Sequence, residues 1–264
     1  MSERHLQDRV ALVTGAGSGN GAAIARRLRA DGAEVWLLDR DGKGLEATLA
    51  GWSEAEREGA RPVLADITID DEVSAAIDAL DGLDILVNNA GIVDPGAFPE
   101  LKIDAFQRVL DVNLLGAYRC CVAAHDLLTA SEAGRVINIT SMEAHHLLAT
   151  GDRVQPHYNA SKAGLNLLTK ALAFEFARSG TTVNAIAPGV IETPFTQSAL
   201  QREEILSWIQ GCVPLGRVGL PEDIAAVASF LASADASYVN GASIPVDGGF
   251  TMGWFRQADA AEDS

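Results

Sequence analysis

The chain has 264 residues, 48% of them hydrophobic, and carries 20 basic against 36 acidic side chains for a formal net charge of −16. That length allows two average domains or one large α/β domain, and an acidic field of this size repels nucleic acid and anionic membrane surfaces, so neither is expected as a partner. No run of about 18 uninterrupted apolar residues suggests a membrane span, and Met1-Ser2-Glu3-Arg4-His5 lacks the apolar core of a secretory signal, which leaves the cytoplasm as the expected compartment.

Short apolar runs alternate with longer amphipathic ones along the whole chain. A first strand is predicted over 9–14, then a glycine-rich turn and a helix over 20–31. A second strand over 34–39 ends at Asp39 and leads into a helix over 41–57. A strand over 61–65 precedes a helix over 69–80, and a strand over 83–88 runs into Asn88-Asn89-Ala90-Gly91. A long helix is predicted over 101–130; its Cys120 and Cys121, like Cys212 further on, form no ligand or disulfide pattern and read as small buried side chains. A strand over 134–140 leads to Ser141, a helix spans 156–178 and a strand 181–187. Residues 190–215 read as a substrate loop, in which Ile205-Leu206-Ser207-Trp208-Ile209 suits an apolar helical lid, a core segment or a subunit contact. Pro221 and Asp223 fit the opening turn of a helix over 221–233, and 242–246 is the last strand. Regular βαβ alternation predicts one doubly wound α/β domain, with a parallel seven-stranded sheet and helices on both faces. Its core covers 6–250, with a polar, frayed tail over 257–264.

The turn Thr14-Gly15-Ala16-Gly17-Ser18-Gly19-Asn20-Gly21 does not fit G-x-G-x-x-G in its main register, because the third position is Asn20. Its context still points to a phosphate cradle. Glycines let backbone approach a pyrophosphate, and the helix that follows offers unpaired N–H groups and a positive dipole end. Asp39, about twenty residues beyond, stands where an acid accepts hydrogen bonds from adenosine-ribose hydroxyls. The amide of Asn20 either bonds the phosphates or caps the helix.

Read as Thr14-Gly15-x-x-x-Gly19-x-Gly21, the turn resembles that of the short-chain dehydrogenase/reductase family. Asn88-Asn89-Ala90-Gly91, Asn113 on the next helix, Ser141 at a strand end, Tyr158-x-x-x-Lys162, Pro188-Gly189 and Asp247-Gly248-Gly249 follow in the family's order. The resemblance implies a Rossmann fold and an NAD-dependent oxidoreductase. Gly15, Ser18, Gly19, Asn20 and Gly21 would cradle the phosphates. Asp66 would bond the adenine amino group with Ile67 beside the ring, and Asn89, Ala90 and Gly91 would line the ribose and phosphate path. Pro188, Gly189, Ile191 and Thr193 would hold the carboxamide end. Ser141 would bond the substrate oxygen, Lys162 the nicotinamide ribose, and Asn113 a water relaying protons to Lys162. Asn113 also reads as a polar residue that kinks its helix. A homotetramer joined through helices 101–130 and 156–178 is implied as well.

Tyr158 and Lys162 are four apart and share a helix face. A phenol of pKa near 10 needs roughly 4 kcal/mol to titrate near neutrality, and one ammonium about 4 Å away at an effective dielectric near 20 supplies about that much. Tyr158 is therefore the expected acid/base. His145, His146 and His157 lack the spacing of a metal site and read as surface or pocket-lining residues. Ser141 and Tyr158 are separated by more residues than is usual for the family, so the stretch 149–156 is expected to overhang the pocket, with Glu143, His145 and His146 on its near side. This arrangement suits a substrate with polar groups beyond its reacting hydroxyl. The expected activity is NAD-dependent interconversion of a secondary alcohol and a ketone. The alternatives are an NADPH-preferring carbonyl reductase and a cofactor-sensing protein without turnover.

Overall fold

The apolar runs of the sequence become strands covered on both faces. The computed structural model describes residues 5–94, 96, 98–148 and 154–253. Its strands are Val10–Thr14 (β1), Glu34–Asp39 (β2), Ala60–Leu64 (β3), Ile85–Asn88 (β4), Arg135–Ile139 (β5), Thr182–Pro188 (β6) and Ser243–Val246 (β7). They form one seven-stranded sheet in the order β3-β2-β1-β4-β5-β6-β7, with every neighbouring pair parallel. Leu12 of β1 stands opposite Trp36 on one side and Leu86 on the other. The chain winds outward from β1 to β3 and then restarts at β4. The strand order therefore reverses between β1 and β4, and the carboxyl ends of those strands open a crevice.

The helices are Gly19–Ala30 (α1), Gly42–Ala50 (α2), Glu54–Arg57 (α3), Asp70–Asp78 (α4), Ile103–Leu110 (α5), Ala117–Ala123 (α6), His125–Ala130 (α7), Pro156–Phe176 (α8), Gln197–Leu200 (α9), Glu203–Cys212 (α10) and Pro221–Ala232 (α11). Side chains alternate across a strand, so the neighbours Leu12 and Val13 belong to opposite cores. On one face, Ile24 and Leu28 of α1 and Ile224 and Leu231 of α11 pack in the cluster that holds Val13, Val35 and Val87. On the other, Val73 and Ile77 of α4, Cys120 of α6 and Phe176 of α8 join Leu12, Leu38 and Leu86. Burial on both faces explains why these strands read as continuous apolar runs rather than alternating ones.

The expected helices differ in three places. The helix expected over 41–57 breaks at Gly51, Trp52 and Ser53. Trp52 turns into the core, and Ser53 opens α3 by accepting from Glu56 N–H at 3.3 Å while its own N–H donates to the Glu56 carboxylate at 2.7 Å. The helix expected over 101–130 is interrupted by a π-helical turn at Asp111–Gly116 and again at Ala124. The 190–215 loop carries α9 and α10, with Trp208 half exposed on α10. Asp223 does cap α11, accepting from Leu220 N–H at 2.7 Å. Cys120 and Cys121 are buried, and burial pushes the Cys121 thiol up to about 12; Cys212 is only half-buried. The tail at 257–264 and residues 149–153 of the expected overhang lie outside the described residues. No helix of the described residues is long and apolar enough to cross a membrane.

Candidate active site

Parallel strands bring their carboxyl ends to one edge, and there a cavity of about 650 Å³ collects residues from every strand end but that of β7. Gly15 and Gly19 adopt φ of +66° and +53°, a region that side-chain-bearing residues rarely enter. Both glycines line the cavity, with Ser18 and Asn20. Gly21 does not. A Cβ there would lie 2.1 Å from the Gly15 carbonyl oxygen and 2.5 Å from Asn89 Nδ2, so its role is close packing of α1 on the turn. Asn89 holds that turn through its side chain, donating to Thr14 O at 2.9 Å and Gly15 O at 3.1 Å. Thr14 Oγ1 accepts from the N–H groups of Asn89 and Ala90 at 3.0 and 3.1 Å, which ties the ends of β1 and β4 together.

Asp39 is half-buried at the end of β2, and its two oxygens accept from Gly17 N–H at 2.9 Å and Asp41 N–H at 3.0 Å. The carboxylate is thus aimed by backbone beside the turn. Arg40 points elsewhere, 3.5 Å from Asp66. Burial alone would raise the Asp66 carboxyl, but the Thr68 N–H and hydroxyl at 2.9 and 2.8 Å and the Arg40 charge outweigh it and hold the group below its ordinary value. Ile67, Ala90, Gly91, Pro188, Gly189, Ile191 and Thr193 line the same cavity. Asn20 carries a buried Oδ1 that finds no partner. Left-handed glycines at a helix N-terminus, a backbone-aimed acid beside them and a polar Asn20 side chain on the cavity wall with an unpartnered oxygen fit a dinucleotide.

The reacting end is built by β5 and α8. Ser141 is buried just past β5, and its Oγ accepts from Glu143 N–H at 3.1 Å. Tyr158 stands half-buried on the first turn of α8, its ring 6.1 Å from that of Phe195. Lys162 is 4% exposed; its Nζ donates to Ile139 O at 2.9 Å and lies 5.8 Å from the Tyr158 ring centre. This geometry corrects the sequence-based electrostatics. The ammonium is bonded to a carbonyl, and lost hydration is the largest influence on both groups. Burial, then the Glu143 charge, pushes the Tyr158 phenol well above its ordinary value, opposed by the Ser141 hydroxyl, while burial pulls Lys162 down to about 8.

Asn113 lies in the π-helical turn, a feature frequent at functional sites. Its side chain makes three hydrogen bonds. Oδ1 accepts from Ile92 N–H at 2.7 Å, and Nδ2 donates to Ile92 O at 2.9 Å and Ser161 Oγ at 3.0 Å. Ser161 Oγ in turn donates to Tyr158 O at 2.8 Å. Asn113 thus pins the segment after β4 to the start of α8, with both Nδ2 protons spent and one lone pair of Oδ1 left over.

Glu143 lines the cavity, whereas His145 and His146 are exposed and His146 is not among the lining residues. His157 is neither surface nor lining: it is wholly buried, with Nε2 at 3.0 Å from Asp94 O. No cluster of three or more His, Cys, Asp or Glu positioned for a metal occurs among the described residues. Sequence reasoning missed Phe195 and Leu200, which form the apolar wall with Trp208, and Asn159, which holds Glu143. The aromatic directly after Thr193-Pro194 was the available signal for that wall.

A backbone cradle opening into the cavity that also holds a phenol, an ammonium and a serine hydroxyl defines a nucleotide-dependent oxidoreductase. The comparisons agree. Residues 15–251 match the family model described as enoyl-(acyl carrier protein) reductase. The chain is 41% identical over 256 residues to 3β-hydroxysteroid dehydrogenase 1 of Eggerthella lenta, covering 94% of this chain and 95% of that one. It is 41% identical over 253 residues to the 3-oxoacyl-(acyl-carrier-protein) reductase of Pseudomonas aeruginosa, covering 94% and 99%. A gluconate 5-dehydrogenase from Burkholderia cenocepacia, solved with NADP and tartrate, superimposes with a TM-score of 0.85 at 32% identity over 95% of this chain and 98% of that one. The chain belongs to the short-chain dehydrogenase/reductase family.

Proposed function

We propose that this protein interconverts a secondary alcohol and a ketone with NAD, using Tyr158 as acid/base. The observation that carries the reading is the meeting of Ser141, Tyr158 and Lys162 in the cavity that also contains Gly15, Gly19 and Asp39. NAD, held by the glycine turn and Asp39, would supply the hydride acceptor for the carbinol carbon and, in its oxidised form, a positive charge that favours the phenolate. Ser141 Oγ accepts a backbone N–H through one lone pair, and its hydroxyl proton, directed at the Tyr158 phenol, would turn to the substrate oxygen. Tyr158 removes the alcohol proton, or returns one to the alkoxide in the reverse direction. Its phenol is raised by burial, so the site without added positive charge holds the proton, as ketone reduction requires. Lys162 is fixed in the same cavity by its bond to Ile139 O, and burial pulls its pKa down to about 8.

NAD is the proposed cofactor because Asp39 would face a 2′-phosphate. A unit-charge repulsion at about 4 Å and dielectric near 20 is about 4 kcal/mol, or roughly a thousandfold. Arg40 is directed to Asp66 and does not relieve it. NADP use is the competing reading, favoured by the NADP bound in the Burkholderia relative. Assembly as a homotetramer is supported by the exposed apolar residues Leu115, Tyr118 and Val122 near α6 and Leu167 and Phe174 on α8; sedimentation of the purified protein tests it. The activity is tested by following reduced-cofactor absorbance over a panel of secondary alcohols and ketones with each cofactor. Turnover with NAD at higher kcat/KM than with NADP is expected. Binding without turnover across the panel would contradict the proposal.

A further inference from the structure

We propose that Glu143 selects the substrate: its carboxylate takes a hydrogen-bond-donating group, hydroxyl or ammonium, placed a few bonds from the reacting carbinol, while an apolar wall holds the rest of the molecule. This rests on the alcohol/ketone reading above. Glu143 lies two residues after Ser141 on the short turn Met142–Ala144, and its N–H is bonded to the Ser141 hydroxyl oxygen. Its position relative to the reacting oxygen is therefore fixed by the catalytic serine itself. One carboxylate oxygen, Oε2, accepts from Asn159 Nδ2 at 2.9 Å, and the same amide reaches the Glu143 carbonyl at 3.4 Å. Asn159 follows Tyr158, so the pair bridges the segments that carry the serine and the tyrosine. Among the described residues no donor bonds the other oxygen, Oε1, and the residue lines the cavity.

A carboxylate partly withdrawn from water in a cavity wall, with a bond to only one of its oxygens, has acceptor capacity to spare. Burial accordingly raises its pKa, against the Asn159 bond. The cations that line the cavity among the described residues are Arg40, paired with Asp66 near the adenine end, and Lys162, bonded to Ile139 O; neither bonds Glu143. Phe195, Leu200, Ile205 and Trp208 supply the apolar wall. The fitting substrate is an apolar-bodied secondary alcohol with a second, donating substituent; a second carboxylate would meet Glu143 with like charge.

The test measures kcat/KM with NAD for cyclohexanol, 1,3-cyclohexanediol, 3-aminocyclohexanol and 3-hydroxycyclohexanecarboxylate, in wild type, Glu143→Gln and Glu143→Leu. Wild type should favour the diol or the amino alcohol over cyclohexanol by about tenfold or more and use the acid least. Glu143→Leu should abolish that preference through KM. Glu143→Gln, isosteric and retained in case the leucine variant does not fold, should lose a preference for the ammonium but keep part of one for the hydroxyl. The favoured arm identifies the donor. Cyclohexanol turnover with relative efficiencies unchanged by either substitution, or wild-type preference for the acid, would overturn this inference alone. No turnover of any of these alcohols or their ketones would overturn the alcohol/ketone reading and this inference with it.

Discussion

Replacing Lys162 by Met removes a charge that folding strips of water. In the native protein the ammonium is bonded to Ile139 O, and burial lowers its pKa from 10.5 to about 8. That difference corresponds to about 3 kcal/mol against the charged folded form. Below about pH 8 lysine is protonated both folded and unfolded, and the whole cost is present. Between about 8 and 10.5 only the unfolded chain keeps the proton, so wild-type stability rises with pH relative to a variant with nothing to titrate there. Above that window the cost is gone. The variant also loses the bond to the Ile139 carbonyl, about 1–3 kcal/mol for a buried acceptor, as an offset that does not depend on pH. The expected result is that the stability of Lys162→Met relative to wild type falls by about 3 kcal/mol between about pH 7 and pH 10.5. Urea unfolding followed by circular dichroism, without cofactor, measures it. General alkaline losses act on both proteins and cancel. A stability difference that stays constant across this range would refute the buried-charge argument.

Asp39→Ser should raise the NADP-to-NAD ratio of kcat/KM by roughly a hundredfold, short of the full Coulomb figure because Asp39 is half exposed; a ratio unchanged within about threefold would reject its role. Gly21→Ala pushes a Cβ to 2.1 Å from Gly15 O and should cost about 1–3 kcal/mol of stability, with weaker NAD binding by titration; a variant with wild-type stability and affinity contradicts the packing argument. Burial and then the Glu143 charge raise the Tyr158 phenol, so Glu143→Gln should move the acidic limb of the alcohol-oxidation profile to lower pH. A limb that stays or moves upward is inconsistent with that coupling.

Much of the fold was legible because its signals are local. Val10-Ala11-Leu12-Val13, Ile85-Leu86-Val87 and Thr182–Pro188 read as buried parallel strands, and they are. The break after α2 was also written locally, as Ser53 with Glu56 three residues on, but the helix formers around it hid the capping box. The π-helical turn was not readable in the same way, because Asn113 is held by Ile92, which lies 21 residues away. At the site, the glycine spacing, Asp39 and the Tyr158-x-x-x-Lys162 pattern identified positions that the fold gathers into one cavity. What spacing did not reveal is where each end group goes. Four residues along a helix place Lys162 near Tyr158, yet Ile139 O captures the ammonium, and burial outweighs the expected attraction. His157 reads as polar and is wholly buried, for the same reason: its partner, the Asp94 backbone, is distant in sequence.

The central claim is that Tyr158 moves the proton, and Tyr158→Phe tests it most directly, since the ring keeps its packing against Phe195 while the hydroxyl is lost. Single-turnover oxidation of an alcohol accepted by the wild type, read as reduced-cofactor absorbance, should slow by about a hundredfold or more. NAD affinity measured by titration should be unchanged. A variant that retains most of its single-turnover rate with NAD still bound would contradict the account.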